Sequence, residues 1–202
     1  MAILTIILFF LALTVHEFSH GWVAWKLGDS TAKNAGRLTL NPLAHIDPIG
    51  TIFLPLMLLM THSRFLFGWA KPVPVDFSSL NNPKKDMVWV GIAGPAANIA
   101  LAVLLSFFLR FFTLAGGNAF SAILSYAIII NLILATFNAL PIPPLDGSRV
   151  LMGLLPRDLA IRYARLEPYG FIIIIGLLWL GLIGSVIWPI VMRMARLLGV
   201  TI

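Results

Sequence analysis

Four stretches of this chain, residues 3–25, 87–109, 119–140 and 169–192, are each apolar over the roughly 20 residues that a helix needs to cross the hydrocarbon core of a bilayer. Inside a bilayer a segment must satisfy its own backbone hydrogen bonds, so these stretches predict helices rather than open sheet. Only 11% of the 202 residues are charged, against about 25% in an ordinary soluble domain, and the mean hydropathy is +0.96. The sequence therefore predicts an all-α polytopic membrane protein with four long transmembrane helices, built as a single integral-membrane domain over residues 1–202. The first stretch has no basic leader and is too long for a cleavable signal peptide, so it is read as a span.

A fifth apolar stretch, 49–61, is short and interrupted by Pro55; it suits a re-entrant segment better than a crossing. Charge supports that reading. If 49–61 does not cross, 11 of the 14 Lys and Arg lie on one side of the membrane, and if it does cross they divide 6 against 8. The positive-inside rule then places the large loop in the cytoplasm and both termini outside. On such a chain the net charge of +6 sets orientation in the bilayer, and nucleic acid is excluded as a partner. Alternating residues at 36–40 and 72–77 predict short membrane-associated β-strands, the second confined to an edge by Pro72 and Pro74.

The chain has four His and two Glu, and two of the His and one Glu fall within His16-Glu17-Phe18-Ser19-His20. This is H-E-x-x-H on a predicted helix. At i and i+4 both imidazoles project from one face toward a single zinc, with Glu17 beside them to take a proton from water. The competing reading, two packed helix histidines, leaves Glu17 as an unpaired carboxylate in an apolar span, which is costly. With no cysteine in the chain, a metal must sit on His, Asp or Glu. A catalytic zinc needs a third protein ligand. Asp146 is the candidate, following the third long span in Asn138-Ala-Leu-Pro-Ile-Pro-Pro-Leu-Asp146-Gly147; its alternative role is to cap the helix that follows. Span parity bears on this, because Asp146 reaches the side of the His pair only if 49–61 does not cross.

HEFSH at 16–20, GRLTLNPLAHIDPIGT at 36–51, FGWAKPVPV at 67–75, GPAAN at 94–98 and NALPIPPLDGSRVL at 138–151 together resemble the site-2 protease family of intramembrane zinc metalloproteases, in a compact bacterial form without PDZ or CBS domains. The resemblance implies one zinc held by His16, His20 and Asp146, with Glu17 as general base and acid. It implies that Asn138 helps to hold the substrate backbone and that Asn98 supports substrate binding, although a polar cap on the third span is the other reading of Asn138. It further implies transmembrane proteins as substrates, the lipid bilayer as surroundings, and a cell-membrane location with the active site toward the cytoplasm. A non-catalytic membrane protein that binds zinc or helices is the rival reading, against which the intact Glu17 argues. His45 and Asp47 read as a loop histidine and a cap, the alternative being that they line the water entrance to the site or touch the metal.

Overall fold

The computed structural model describes residues 2–53, 56–57, 60–61, 71–114 and 119–200. Eight α-helices occur among them: α1 (Ala2–Lys26), α2 (Thr31–Asn34), α3 (Pro83–Leu114), α4 (Ala119–Asn138), α5 (Asp146–Leu154), α6 (Arg157–Ala164), α7 (Gly170–Trp179) and α8 (Leu182–Leu197). Helix α1 stops where Gly28 takes φ 112°, a conformation that excludes a further helical turn. Helix α3 starts on Pro83, whose missing N–H costs nothing in a first turn, and the Asp86 carboxylate caps it by accepting from Asn82 N at 2.7 Å. Its 32 residues exceed the roughly 20 that the bilayer core requires.

Helices α1, α3 and α4 pack on one another, α5 lies against α3, and α8 closes on α4. The largest core cluster takes Ala102 and Leu109 from α3, Leu124, Ile128 and Leu132 from α4, Ile174 from α7, and Ile187 and Val191 from α8. Opposite faces stay apolar yet exposed, as at Phe107, Phe108 and Phe111, the pattern of helices bathed in lipid. Lys26 and Lys33 sit over the Trp25 ring at 4.6 and 4.5 Å, placing a cationic and aromatic belt at the end where α1 terminates.

Three helices, Leu4–Lys26, Pro83–Leu114 and Ala119–Asn138, are long and apolar enough to cross a membrane. The fourth span expected at 169–192 is not one straight helix. It divides before α8: the stretch Arg157–Trp179, which ends in α7, and Leu182–Leu197 meet at 75°, with Gly181 between them at φ 72°. A hydropathy window does not register that break, because the residues immediately on both sides of it are apolar.

The strands expected at 36–40 and 72–77 do not form, and the described residues contain no strand. Residues 71–76 run without regular structure, and their backbone donors are spent elsewhere: Lys71 N on His45 O at 2.9 Å, Val73 N on Glu17 Oε2 at 2.8 Å, and Asp76 N on the buried Asp29 Oδ2 at 2.8 Å. Pro72 and Pro74 have no donor to give. Carboxylates on and just after α1 thus take the place of a neighbouring strand. At the end of this strap Asp76 caps the 3-10 turn Phe77–Ser79, and the Ser78 hydroxyl, followed by that of Ser79, holds its carboxyl below the usual carboxylate range.

Residues 48–53 form a π-helical turn capped by Asp47, whose Oδ1 accepts from Ile49 N and Gly50 N at 3.0 and 2.7 Å. Pro55 and His62 lie outside the described residues. The connection between α1 and α3 ends where it began, with Asn81 N donating to Leu27 O at 2.8 Å. Helices α1 and α4 therefore present their C-terminal ends, and α3 its N-terminal end, to one region.

Candidate metal centre

That region is where His16, His20 and Asp146 meet. One ligand atom from each lies within 4.8 Å of the others. The Nε2 atoms of His16 and His20 are 3.1 Å apart, and Asp146 Oδ2 is 2.9 Å from the first and 3.2 Å from the second. Asp146 arrives through the turn after α4, in which Leu145 N bonds to Ile142 O at 2.9 Å and Tyr163 donates its hydroxyl proton to Pro141 O at 2.8 Å.

Two glycines permit the convergence. A Cβ on Gly94 of α3 would lie 2.6 Å from His16 Nε2 and closer still to His20 Nε2, and one on Gly147 would collide with the Ala139 and Leu140 carbonyls. Gly94→Ala is accordingly expected to displace the imidazoles and to strip most bound metal, with an overpacking cost of about 1–3 kcal/mol. Zinc content of the purified variant, measured beside its thermal unfolding, checks this; full occupancy at unchanged stability would contradict it.

The outer nitrogens fix the chemistry of the inner ones. His20 Nδ1 faces Val90 O at 2.7 Å; a carbonyl only accepts, so Nδ1 carries the hydrogen. His16 Nδ1 faces Asn98 Oδ1 at 2.6 Å and donates likewise. In a neutral ring each Nε2 is then a bare lone pair. Asp146 Oδ2 is buried with no hydrogen-bond donor. Three electron pairs thus point into one space. A shared proton would satisfy one of these contacts, whereas a divalent cation satisfies all three, and the two-nitrogen, one-carboxylate set is of the kind zinc takes. The residues fit the metal.

Beside the cluster opens a cavity of about 750 Å3. Its walls are mainly apolar, with Phe9, Leu13 and Phe137 among them, and Glu17 and Asn138 line it together with the three candidate ligands. Arg149 reaches its rim, where it pairs with Glu167.

Comparison with known proteins agrees with this geometry. The sequence profile of peptidase family M50 matches residues 113–180. The chain is 42% identical over 192 residues to "Putative zinc metalloprotease YwhC" of Bacillus subtilis, covering 91% of this chain and 84% of that protein. The chain belongs to peptidase family M50. A second family relative, Rip2 of Mycolicibacterium smegmatis, carries the same zinc metalloprotease designation and is 32% identical over 176 residues, 87% of this chain and 66% of its own. No solved structure matches. Zinc is thus the metal named for this chain's M50 relatives, and the membrane helices and the His, His, Asp cluster suit such a metalloprotease.

The structure brings His16, Glu17, His20, Asp146 and Asn138 to one cavity. Asn98 is placed elsewhere: it is fully buried, behind His16, and its amide is engaged by His16, Ala12 O and Asn131, so it faces His16 and does not line the cavity. His45 is buried against Thr39 O at 3.0 Å and stands outside the metal group. Sequence reasoning missed the roles of Asn131, Asp29 and the Val90 carbonyl. A single amide inside the apolar run of α4 was the available signal for Asn131; a backbone carbonyl gives none.

Proposed function

We propose that this M50 protein is a zinc-dependent intramembrane endopeptidase that hydrolyses peptide bonds in or near transmembrane segments of membrane proteins. His16, His20 and Asp146 hold the metal and Glu17 is the catalytic acid and base. The observation that carries the reading is the Glu17 carboxylate lining the same mainly apolar cavity as the three converging ligands. A protein that merely stores or senses zinc has no use for a carboxylate placed there.

Zinc bound at this site supplies Lewis-acid polarisation of a carbonyl and acidification of water. Glu17 is held by the Val73 N–H through Oε2, which fixes the carboxylate while its other oxygen takes a proton from water and later delivers it to the leaving amine. Asn138 donates Nδ2 to Leu134 O at 3.0 Å, leaving Oδ1 to accept an N–H of the substrate backbone. A helical substrate has its own amides paired, so it must unwind to present a bond, and apolar walls suit the residues that flank it.

The proposal includes four spans, with the bent α7 and α8 pair as the fourth, both termini outside and the site toward the cytoplasm. The return of the 27–81 connection to its starting end and the 11 Lys and Arg assigned to that side support this. To test the function, the zinc-loaded chain is co-reconstituted in vesicles with labelled single-span proteins whose helices carry destabilising residues. Cleavage mapped inside the apolar segment, stopped by a zinc chelator and restored by zinc, is the expected result. Chelator-insensitive cleavage, or cuts confined to water-exposed tails, would refute it.

A further inference from the structure

Helix α4 buries one amide among its apolar side chains, Asn131, which is 2% exposed and takes no part in the chemistry above. Its Nδ2 donates to Ala127 O at 2.8 Å, and its Oδ1 accepts from Asn98 Nδ2 at 2.8 Å. Asn98 Nδ2 also donates to Ala12 O at 3.0 Å, and Asn98 Oδ1 accepts from His16 Nδ1 at 2.6 Å.

Each link has a direction. Ala127 O and Ala12 O are carbonyls and can only accept, so Asn131 must turn Nδ2 toward the first and Oδ1 toward Asn98. Asn98 must then turn Nδ2 away from His16 and Oδ1 toward it. His16 must place its hydrogen on Nδ1, leaving Nε2 as a lone pair aimed at Asp146 and His20. A flipped Asn98 would offer His16 a donor, move the ring hydrogen to Nε2 and block that atom as a ligand. It would also set its own carbonyl against Ala12 O and Asn131 Oδ1.

We infer that Asn131 is a positioning residue of the metal centre, acting through Asn98 to hold His16 in the tautomer that binds zinc. The inference rests on the metal-centre reading given above. A group hydrogen-bonded directly to a ligating histidine, as Asn98 is to His16, typically changes metal affinity 10–100-fold when lost, and Asn131 acts through that group.

The test compares Asn131→Leu with Asn131→Asp in the full-length chain in detergent. Leu keeps the volume and removes the polarity. Asp still accepts from Asn98 Nδ2, whether ionised or protonated, and when protonated it also donates to Ala127 O. Zinc dissociation constants from chelator competition are expected to rise at least tenfold for Leu and to stay within threefold of the parent for Asp. 15N spectra of labelled histidine in the metal-free protein should show Nε2–H imidazole at His16 in the Leu variant alone.

A packing role predicts the reverse order, since Leu suits an apolar layer better than Asp, and that order would overturn the inference, as would unchanged zinc affinity in the Leu variant. Should Leu prevent folding, Asn131→Ala takes its place with the same expectations. A parent chain that binds no zinc, or binds it equally well after His16→Ala, overturns the metal-centre reading itself. A parent that binds zinc through His16 with no response to Asn131→Leu overturns this inference alone.

Discussion

Cleavage by a Glu17→Gln variant is expected to fall by about 10²–10⁴-fold while its zinc content stays that of the parent. Gln keeps a carbonyl oxygen that can accept from Val73 N–H, the contact that positions Glu17 at 2.8 Å, so the strap over the site keeps its hold. What is lost is the capacity to take a proton from water and return it to the leaving amine. Zinc measured by metal analysis alongside cleavage of a reconstituted membrane substrate separates the two properties. Full cleavage by the variant would sink the proposed mechanism.

Asp146→Ala is expected to weaken zinc binding by about a thousandfold, taking a structural zinc site as worth about 10–16 kcal/mol and this residue as one of three ligands. The metal-free protein should respond in the other direction. Asp146 Oδ2 lies 2.9 and 3.2 Å from the two imidazole Nε2 atoms, so without a cation a shared proton satisfies at most one of these contacts and the crowded electron pairs repel. Removing it relieves that penalty, and metal-free stability should hold or rise. The readout is thermal unfolding with and without zinc. Zinc raises the parent's midpoint by stabilising only the folded state, and the variant should lose that response. A zinc-dependent shift of undiminished size in Asp146→Ala would show that the carboxylate is not a ligand.

How much of this was legible in the sequence differs from one residue to the next. His16 and His20 could be paired from their spacing, because i and i+4 share a helix face whatever the rest of the fold does. Asp146 could be proposed from its place after a span, and the structure sets it beside them. The strands expected at 36–40 and 72–77 are absent for a definite reason. Alternation and extended backbone are properties of one segment, whereas a strand requires a second one; at 73 and 76 the Glu17 and Asp29 side chains accept the hydrogen bonds that a neighbour would have taken, and at 36 and 37 the N–H groups turn back onto Lys33 O and Ala32 O. The helix expected at 169–192 is interrupted beside Gly181, which takes a positive φ, and forms a bent pair rather than one straight helix, in a run whose hydropathy continues. Asn98 is given a supporting role in substrate binding by the resemblance. Its complete burial behind His16 depends on how α1, α3 and α4 pack.

The sequence by itself determined that the chain belongs in a membrane, that two histidines and a glutamate share one turn of helix, and that no thiolate can serve a metal. These follow from composition and from the helical repeat, which act over a few residues. Tertiary structure decided which carboxylate meets the histidines, which ring nitrogens are left bare, and that two glycines leave room for the meeting. Such properties depend on distances between segments far apart in the chain, and those distances are set by packing that no single stretch of sequence encodes.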